Sequence, residues 1–169
     1  MFKIINNFLN NDDYFDILKK ISSPEINWFF QSFFLYPDIN RQKQLSHILL
    51  NDLIKKKTKD EVEVNKQAMS IIHNLTTKLK AIKVNKAQLK LISKSENIIK
   101  FPFEKNKEDT MTAVLYLNKN NGYTYVEGIG KINSEDNKVV IFPSDTPYFE
   151  SSSTDEDYKA LLTIEYSVN

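Results

Sequence analysis

Two histidines, His47 and His73, are the only imidazoles in a chain of 169 residues that has no cysteine. Thiolate metal sites, disulfides and cysteine nucleophiles are therefore excluded, and cysteine usage leaves the redox compartment open. His47 stands in QLSHILL and His73 in SIIHNL, each beside apolar neighbours at helical spacing. Such a histidine reads as a packed or surface residue before it reads as a ligand. Carboxylates gather at Glu104, Glu108 and Asp109 and again at Asp145. Oxygen donors of this type suit a hard cation such as Ca²⁺ or Mg²⁺, yet Lys105 and Lys107 stand among them, and the plainer reading is solvated loop charge. Ser151, Ser152 and Ser153 have no histidine in their own segment, so a Ser-His-Asp triad would need His47 or His73 carried across the fold. With only Gly122, Gly128 and Gly130 in the chain, a glycine-rich phosphate loop is not available.

Composition narrows the setting of any such site. The chain has 23 basic against 22 acidic side chains, a net charge of +1, and its one arginine is Arg41. This balance gives no general attraction to nucleic acid or to an anionic membrane surface, and a lone arginine leaves little of the side chain best suited to bidentate phosphate readout. At 41% hydrophobic and 12% aromatic residues, the length suits one domain, 1–169, with a real core. The opening MFKIINNFLNNDD has too short an apolar run for a signal peptide, and no apolar run is long enough to cross a bilayer. An intracellular or packaged protein is expected.

The elements that would position these residues fall into two textures. Asn11 to Ile21 places Tyr14, Phe15, Ile17, Leu18 and Ile21 on one side of a helix behind a capping carboxylate. Ile26 to Pro37 (INWFFQSFFLYP) reads as a buried strand or hairpin. Its aromatics read as core, since no basic stripe interleaves with them as a base-stacking platform would require. Arg41 to Ile54 and Val62 to Leu79 repeat apolar residues at three and four, predicting two more helices, with Lys55 to Glu63 between them as a solvated loop or helix end. After Ala81 the period falls to two. Strands are predicted at Val84–Ser93, Ile98–Phe103, Thr112–Asn118, Gly122–Glu127, Asn137–Pro143 and Lys159–Tyr166, a number that suggests a sandwich or small barrel. Asn120-Asn121-Gly122 supplies residues tolerant of positive φ, so Thr112 to Glu127 reads as a hairpin, and Glu150 to Asp157 reads as a polar loop. The organisation is thus a mainly helical part over 1–81 and a β part over 82–169.

Two motifs carry a resemblance. Thr112, Ala113, Tyr116 and Asn118 followed by Gly122, Tyr123 and Thr124, then Asn137, Val139, Val140 and Phe142, resemble the small 2-oxoglutarate/Fe(II) oxygenase-like proteins of tailed phages. The resemblance implies an α+β fold, with N-terminal helices packed on a double-stranded β-helix, the cupin-like jelly roll. It also implies a His-x-Asp before the first motif and a distal histidine after the second, which leave open positions on Fe(II). The chain departs from that pattern. Glu96 to Met111 contains Glu104, Glu108 and Asp109 but no imidazole, a gapless count from Phe142 puts Tyr148 in the distal ligand's place, and Lys159 stands nearest to the arginine that pairs with the cosubstrate.

The expectation is therefore a frame without metal ligands: no catalytic residue, no metal and no cofactor. Lys159 and Tyr116 are left to line a vestigial pocket, with Tyr125 and Tyr148 beside them if it takes a small ligand. Phe101, Pro102, Phe103, Pro147 and Tyr148 are expected to fill that pocket, with Lys159 turned to solvent or paired with a nearby carboxylate. A structural or interaction module follows, with protein partners among virion proteins or copies of itself, located in a particle or in the cytoplasm of an infected host. The alternatives are a dioxygenase with a carboxylate metal site and a small-ligand binding module.

Overall fold

The structure, a computed structural model, describes residues 2–23, 29–33, 42–51, 59–104 and 108–168, with the backbone alone at 29–33, 42–51 and 59–68. Helix α1 spans Asn11–Ile21 as expected, but its cap is an amide: Asn10 Oδ1 accepts from the Asp13 N–H at 2.8 Å. Asp12 and Asp13 in the first turn and Lys19 and Lys20 in the last complement the helix dipole. Helix α2 spans Lys59–Leu79, beginning within the charged run and containing the predicted Val62–Leu79.

The strands are β1 (Lys3–Ile5), β2 (Phe29–Phe33), β3 (Gln42–Asn51), β4 (Lys83–Ser93), β5 (Met111–Tyr116), β6 (Tyr123–Val126), β7 (Gly130–Asn133), β8 (Val139–Pro143), β9 (Tyr148–Glu150) and β10 (Tyr158–Ser167). They form a seven-stranded sheet in the order β1-β8-β5-β10-β4-β3-β2 and a three-stranded sheet in the order β7-β6-β9. Residues Phe29–Phe33 fulfil part of the predicted aromatic strand; Ile26 to Trp28 and Phe34 to Pro37 lie outside the described residues.

Three expectations are corrected. Arg41–Ile54 was predicted helical, but Gln42–Asn51 is strand β3, paired antiparallel with β2 and β4. Its register shifts between Ile48 and Leu50, so Leu49 is an extra residue that breaks the period of two and imitates helical spacing. Thr112–Glu127 is not a hairpin. β5 pairs with β10 and β8 in the large sheet, β6 pairs with β7 and β9 in the small one, and Leu117–Gly122 crosses between the sheets. The predicted strand Ile98–Phe103 is an irregular ladder beside β9, held by the bridges Lys100↔Ser151 and Glu104↔Tyr148. Pro102, which has no N–H to donate, stands between those bridges.

Strand alternation gives the large sheet two different faces. Ala160, Leu162, Ile164 and Tyr166 of β10, with Leu89 of β4 and Leu115 of β5, join Tyr14 and Ile17 of α1 and Ile72 and Leu75 of α2 in one buried cluster. Leu161 of β10, Val114 and Tyr116 of β5 and Ile92 of β4 point the other way. There they meet Val126, Ile132 and Tyr148 of the small sheet in a second cluster with Phe101 and Phe142. The motif residue Asn137 ties the chain start to this body: at φ 54°, its side chain accepts from Leu9 N at 2.9 Å and donates to Leu9 O at 2.8 Å. Among the described residues no helix is long and apolar enough to cross a membrane.

Candidate functional site

The space between the sheets holds two charged networks. In the first, Lys159 is 0% exposed, and its Nζ donates to Glu150 Oε2 and to the Tyr123 carbonyl, each at 2.7 Å. Glu150 accepts in turn from Thr124 Oγ1 at 2.9 and 3.1 Å, and Thr124 Oγ1 accepts from the Tyr116 phenol at 2.6 Å. The Lys159 ammonium also stands 5.8 Å from the centre of the Tyr116 ring. Burial pushes the Lys159 ammonium below its ordinary range, Glu150 opposes that shift, and the charge of Lys90 adds to it. Burial, reinforced by the Glu150 charge, pushes the Tyr116 phenol well above its ordinary range.

Alternation builds this network. β6 turns Thr124 and Val126 inward, β9 turns Tyr148 and Glu150 inward, and β10 presents Lys159 and Leu161 from below. Gly122 makes room for the lysine. A Cβ there would lie 2.8 Å from the Ser152 carbonyl oxygen, 2.8 Å from Asn120 Oδ1 and 3.1 Å from Lys159 Cδ. The glycine serves close approach and has no positive φ, contrary to the turn reading of Asn120-Asn121-Gly122.

The second network joins Lys90 of β4, Glu104 and Tyr148. Glu104 Oε1 is ion-paired and hydrogen-bonded to Lys90 Nζ, and its Oε2 accepts from the Tyr148 phenol at 3.1 Å. The backbones of Glu104 and Tyr148 exchange hydrogen bonds at 2.6 and 3.0 Å. Burial pushes the Glu104 carboxyl up, but Lys90, with Lys86 and the Tyr148 phenol, outweighs it and holds the group below its ordinary value.

The structure thus brings together five of the residues singled out from the sequence, Phe101, Glu104, Tyr116, Tyr148 and Lys159. Lys159 is paired with a carboxylate and is not turned to solvent. Phe101 and Tyr148 are buried in the inter-sheet cluster, whereas Phe103 is 59% exposed, Pro102 is exposed and Pro147 half-buried. Phe103 packs outside the small sheet on Phe149, 5.0 Å between ring centres, and Tyr125 stacks on Phe149 on that same outer face, so Tyr125 does not line the pocket. Glu108, Asp109 and Asp145 are exposed, as the solvated-loop reading expects, whereas Glu104 of the same cluster is half-buried and ion-paired, contrary to it. Among the described residues no three His, Cys, Asp or Glu side chains are grouped to hold a metal. His73 is exposed on α2, near Lys20 and Asn74; His47 is in β3, opposite Leu89, and not in a helix.

Sequence reasoning missed Glu150, Thr124 and Lys90 as partners in these networks. Glu150 to Ser153 was read as part of a polar loop, yet all four residues are buried. The serine side chains serve the backbone: Ser151 Oγ accepts from Tyr123 N at 2.8 Å and Ser152 Oγ from Ile99 N at 2.8 Å.

No protein-family model matches the sequence, and no curated protein matches it. Among solved structures, the chain is similar to an oxidoreductase of the 2OG-Fe(II) oxygenase family from Burkholderia pseudomallei, at 8% identity over 98% of this chain and 84% of that one, with a TM-score of 0.66. It is also similar to a prolyl hydroxylase from Trichoplax adhaerens in complex with a hypoxia inducible factor peptide fragment, at 17% identity, 98% and 83% coverage and a TM-score of 0.61. A Pseudomonas putida prolyl-4-hydroxylase matches at 14% identity, 99% and 92% coverage and a TM-score of 0.55. At these identities the likeness is one of fold: the chain has the two-sheet, double-stranded β-helix architecture of the 2-oxoglutarate/Fe(II) oxygenases.

Proposed function

We propose that this chain is a non-catalytic protein on an oxygenase-type jelly roll, used as a structural or interaction module. The observation that carries this reading is the state of the inter-sheet space, where two lysine ammonium groups are already ion-paired to Glu104 and Glu150. A ferrous site of the facial type needs imidazole and carboxylate ligands with open positions beside them. Here the only carboxylate in the His-x-Asp window that reaches the space has both oxygens engaged, by Lys90 and by Tyr148. The chain has no histidine after His73. These residues do not fit iron. Nor does Lys159 fit a cosubstrate carboxylate, since Glu150 already occupies its ammonium.

The same observation weighs against a dioxygenase with a carboxylate metal site. The further placing of the module, as a component of a tailed-phage particle that contacts virion proteins or copies of itself, rests on the sequence resemblance. Incubation of the purified chain with Fe(II), 2-oxoglutarate and oxygen tests the reading: succinate formation at background level is expected, and turnover above background that an inactive control lacks would overturn it. Mass spectrometry of purified particles tests the placing, with recovery of the chain expected.

A further inference from the structure

Asn121-Gly122 is the one Asn-Gly pair in the chain, and it stands where the chain crosses from β5 to β6. An asparagine before a glycine is open to attack by its own backbone, because the glycine has no Cβ to shield the peptide nitrogen that must reach the asparagine Cγ. The fold holds both reacting groups away from that geometry. Gly122 is buried, and its N–H donates to Asn120 Oδ1 at 2.9 Å. The Asn121 amide is turned across to Thr154, its Nδ2 donating to Thr154 Oγ1 at 2.7 Å and its Oδ1 accepting from Thr154 N at 2.9 Å. Flanking bonds fix the backbone as well: Asn121 N donates to Asp155 Oδ1 at 3.0 Å, and Gly122 O accepts from Ser134 N at 3.1 Å.

We propose that Asn121 is a self-modification site that the folded crossover keeps closed, and that its modification records an excursion to the opened state. In the opened chain Gly122 N loses its proton to hydroxide and attacks Asn121 Cγ; the new C–N bond closes a succinimide and Nδ2 leaves as ammonia. Water then opens the ring at either carbonyl. One product is an aspartate, whose carboxylate can still accept from the hydroxyl and the N–H of Thr154. The other is an isoaspartate, in which the chain runs through the former side chain and gains a methylene. The crossover has no room for that product. Even a Cβ on Gly122 would lie 2.8 Å from the Ser152 carbonyl oxygen and 3.1 Å from Lys159 Cδ, so a lengthened backbone displaces the strand from its place over the lysine. The inference is independent of the structural-module reading.

The test holds the full chain at mildly alkaline pH, in buffer and in urea above its unfolding midpoint, and follows the Asn121-Gly122 peptide by mass spectrometry with fragmentation that separates isoaspartate from aspartate. Loss of the Asn121 amide is expected to be slower in buffer by about tenfold or more, since there it draws only on the opened population. Asn120→Ala, which frees the Gly122 N–H, speeds the loss in buffer and leaves the rate in urea unchanged. Should that variant not fold, hydrogen exchange at the Gly122 amide of the wild-type chain reads the same opening, and protection by a similar factor is expected. After dilution from urea, Asn121→Asp recovers the native near-ultraviolet circular dichroism and the isoaspartyl fraction of the wild-type chain does not. Equal rates of amide loss in buffer and urea, an unprotected Gly122 amide, or native recovery of the isoaspartyl fraction overturns the proposal.

Discussion

An ammonium with no exposed surface holds its charge at the expense of its surroundings, and Lys159 meets that demand through Glu150 and the Tyr123 carbonyl. Removing one partner of a buried pair strands the other, which costs about 3 to 5 kcal/mol, whereas replacing both by apolar side chains is often neutral. Glu150→Ala is therefore expected to lose stability in that range by urea unfolding, and Glu150→Leu combined with Lys159→Met to recover most of it. A double variant as unstable as the single one would contradict the pairing as the source of the loss. Lys159 was legible in the sequence because it stands where a cosubstrate-pairing residue belongs. Glu150 was not, since a carboxylate followed by three serines has the composition of a loop. Only the two-residue alternation of β9, three residues long, turns Glu150 inward beside Tyr148.

At the scale of elements, the most misleading signal was the Asn120-Asn121-Gly122 run. In a hairpin those residue types provide positive φ; here they are used for reach. Asn118 donates to the Tyr158 carbonyl at 2.8 Å and accepts from Ala160 N at 2.8 Å, Asn121 exchanges bonds with Thr154, and Gly122 lets the strand pass over Lys159. Gly122→Ala should therefore destabilise by overpacking against a backbone carbonyl, about 1 to 3 kcal/mol. Thermal unfolding measures it, and an unchanged midpoint would contradict the close approach. β4 and β10 were legible to within a residue, their register shift lying only at the end where Glu165 pairs with Lys86 and Tyr166 with Val84. β3 was hidden by its bulge, and β1, three residues long, has too little pattern to read before β8 is known to pair with it.

Over the whole molecule, acid is the condition that addresses the second network. The folded-state value of Glu104 lies below its ordinary 4.5. The stability it contributes is thus complete above about that pH and is lost as the pH falls through the depressed value. Urea midpoints measured down through this range should fall more steeply for the wild-type chain than for Glu104→Gln; parallel curves would contradict the coupling to Lys90. The general architecture was legible, with a β-rich second half read from its change of period. What could not be read was the share of the first half in the same sheet, because long-range pairing leaves no local trace. That pairing has a temporal side. β10 fills the middle of the large sheet, between β4 and β5, while β1 closes onto β8 from more than a hundred residues away. Of the described strands, the last to leave the ribosome is the one on which two earlier strands depend for a neighbour. Until it arrives, both present open edges, and the floor that carries Lys159 and Leu161 does not exist.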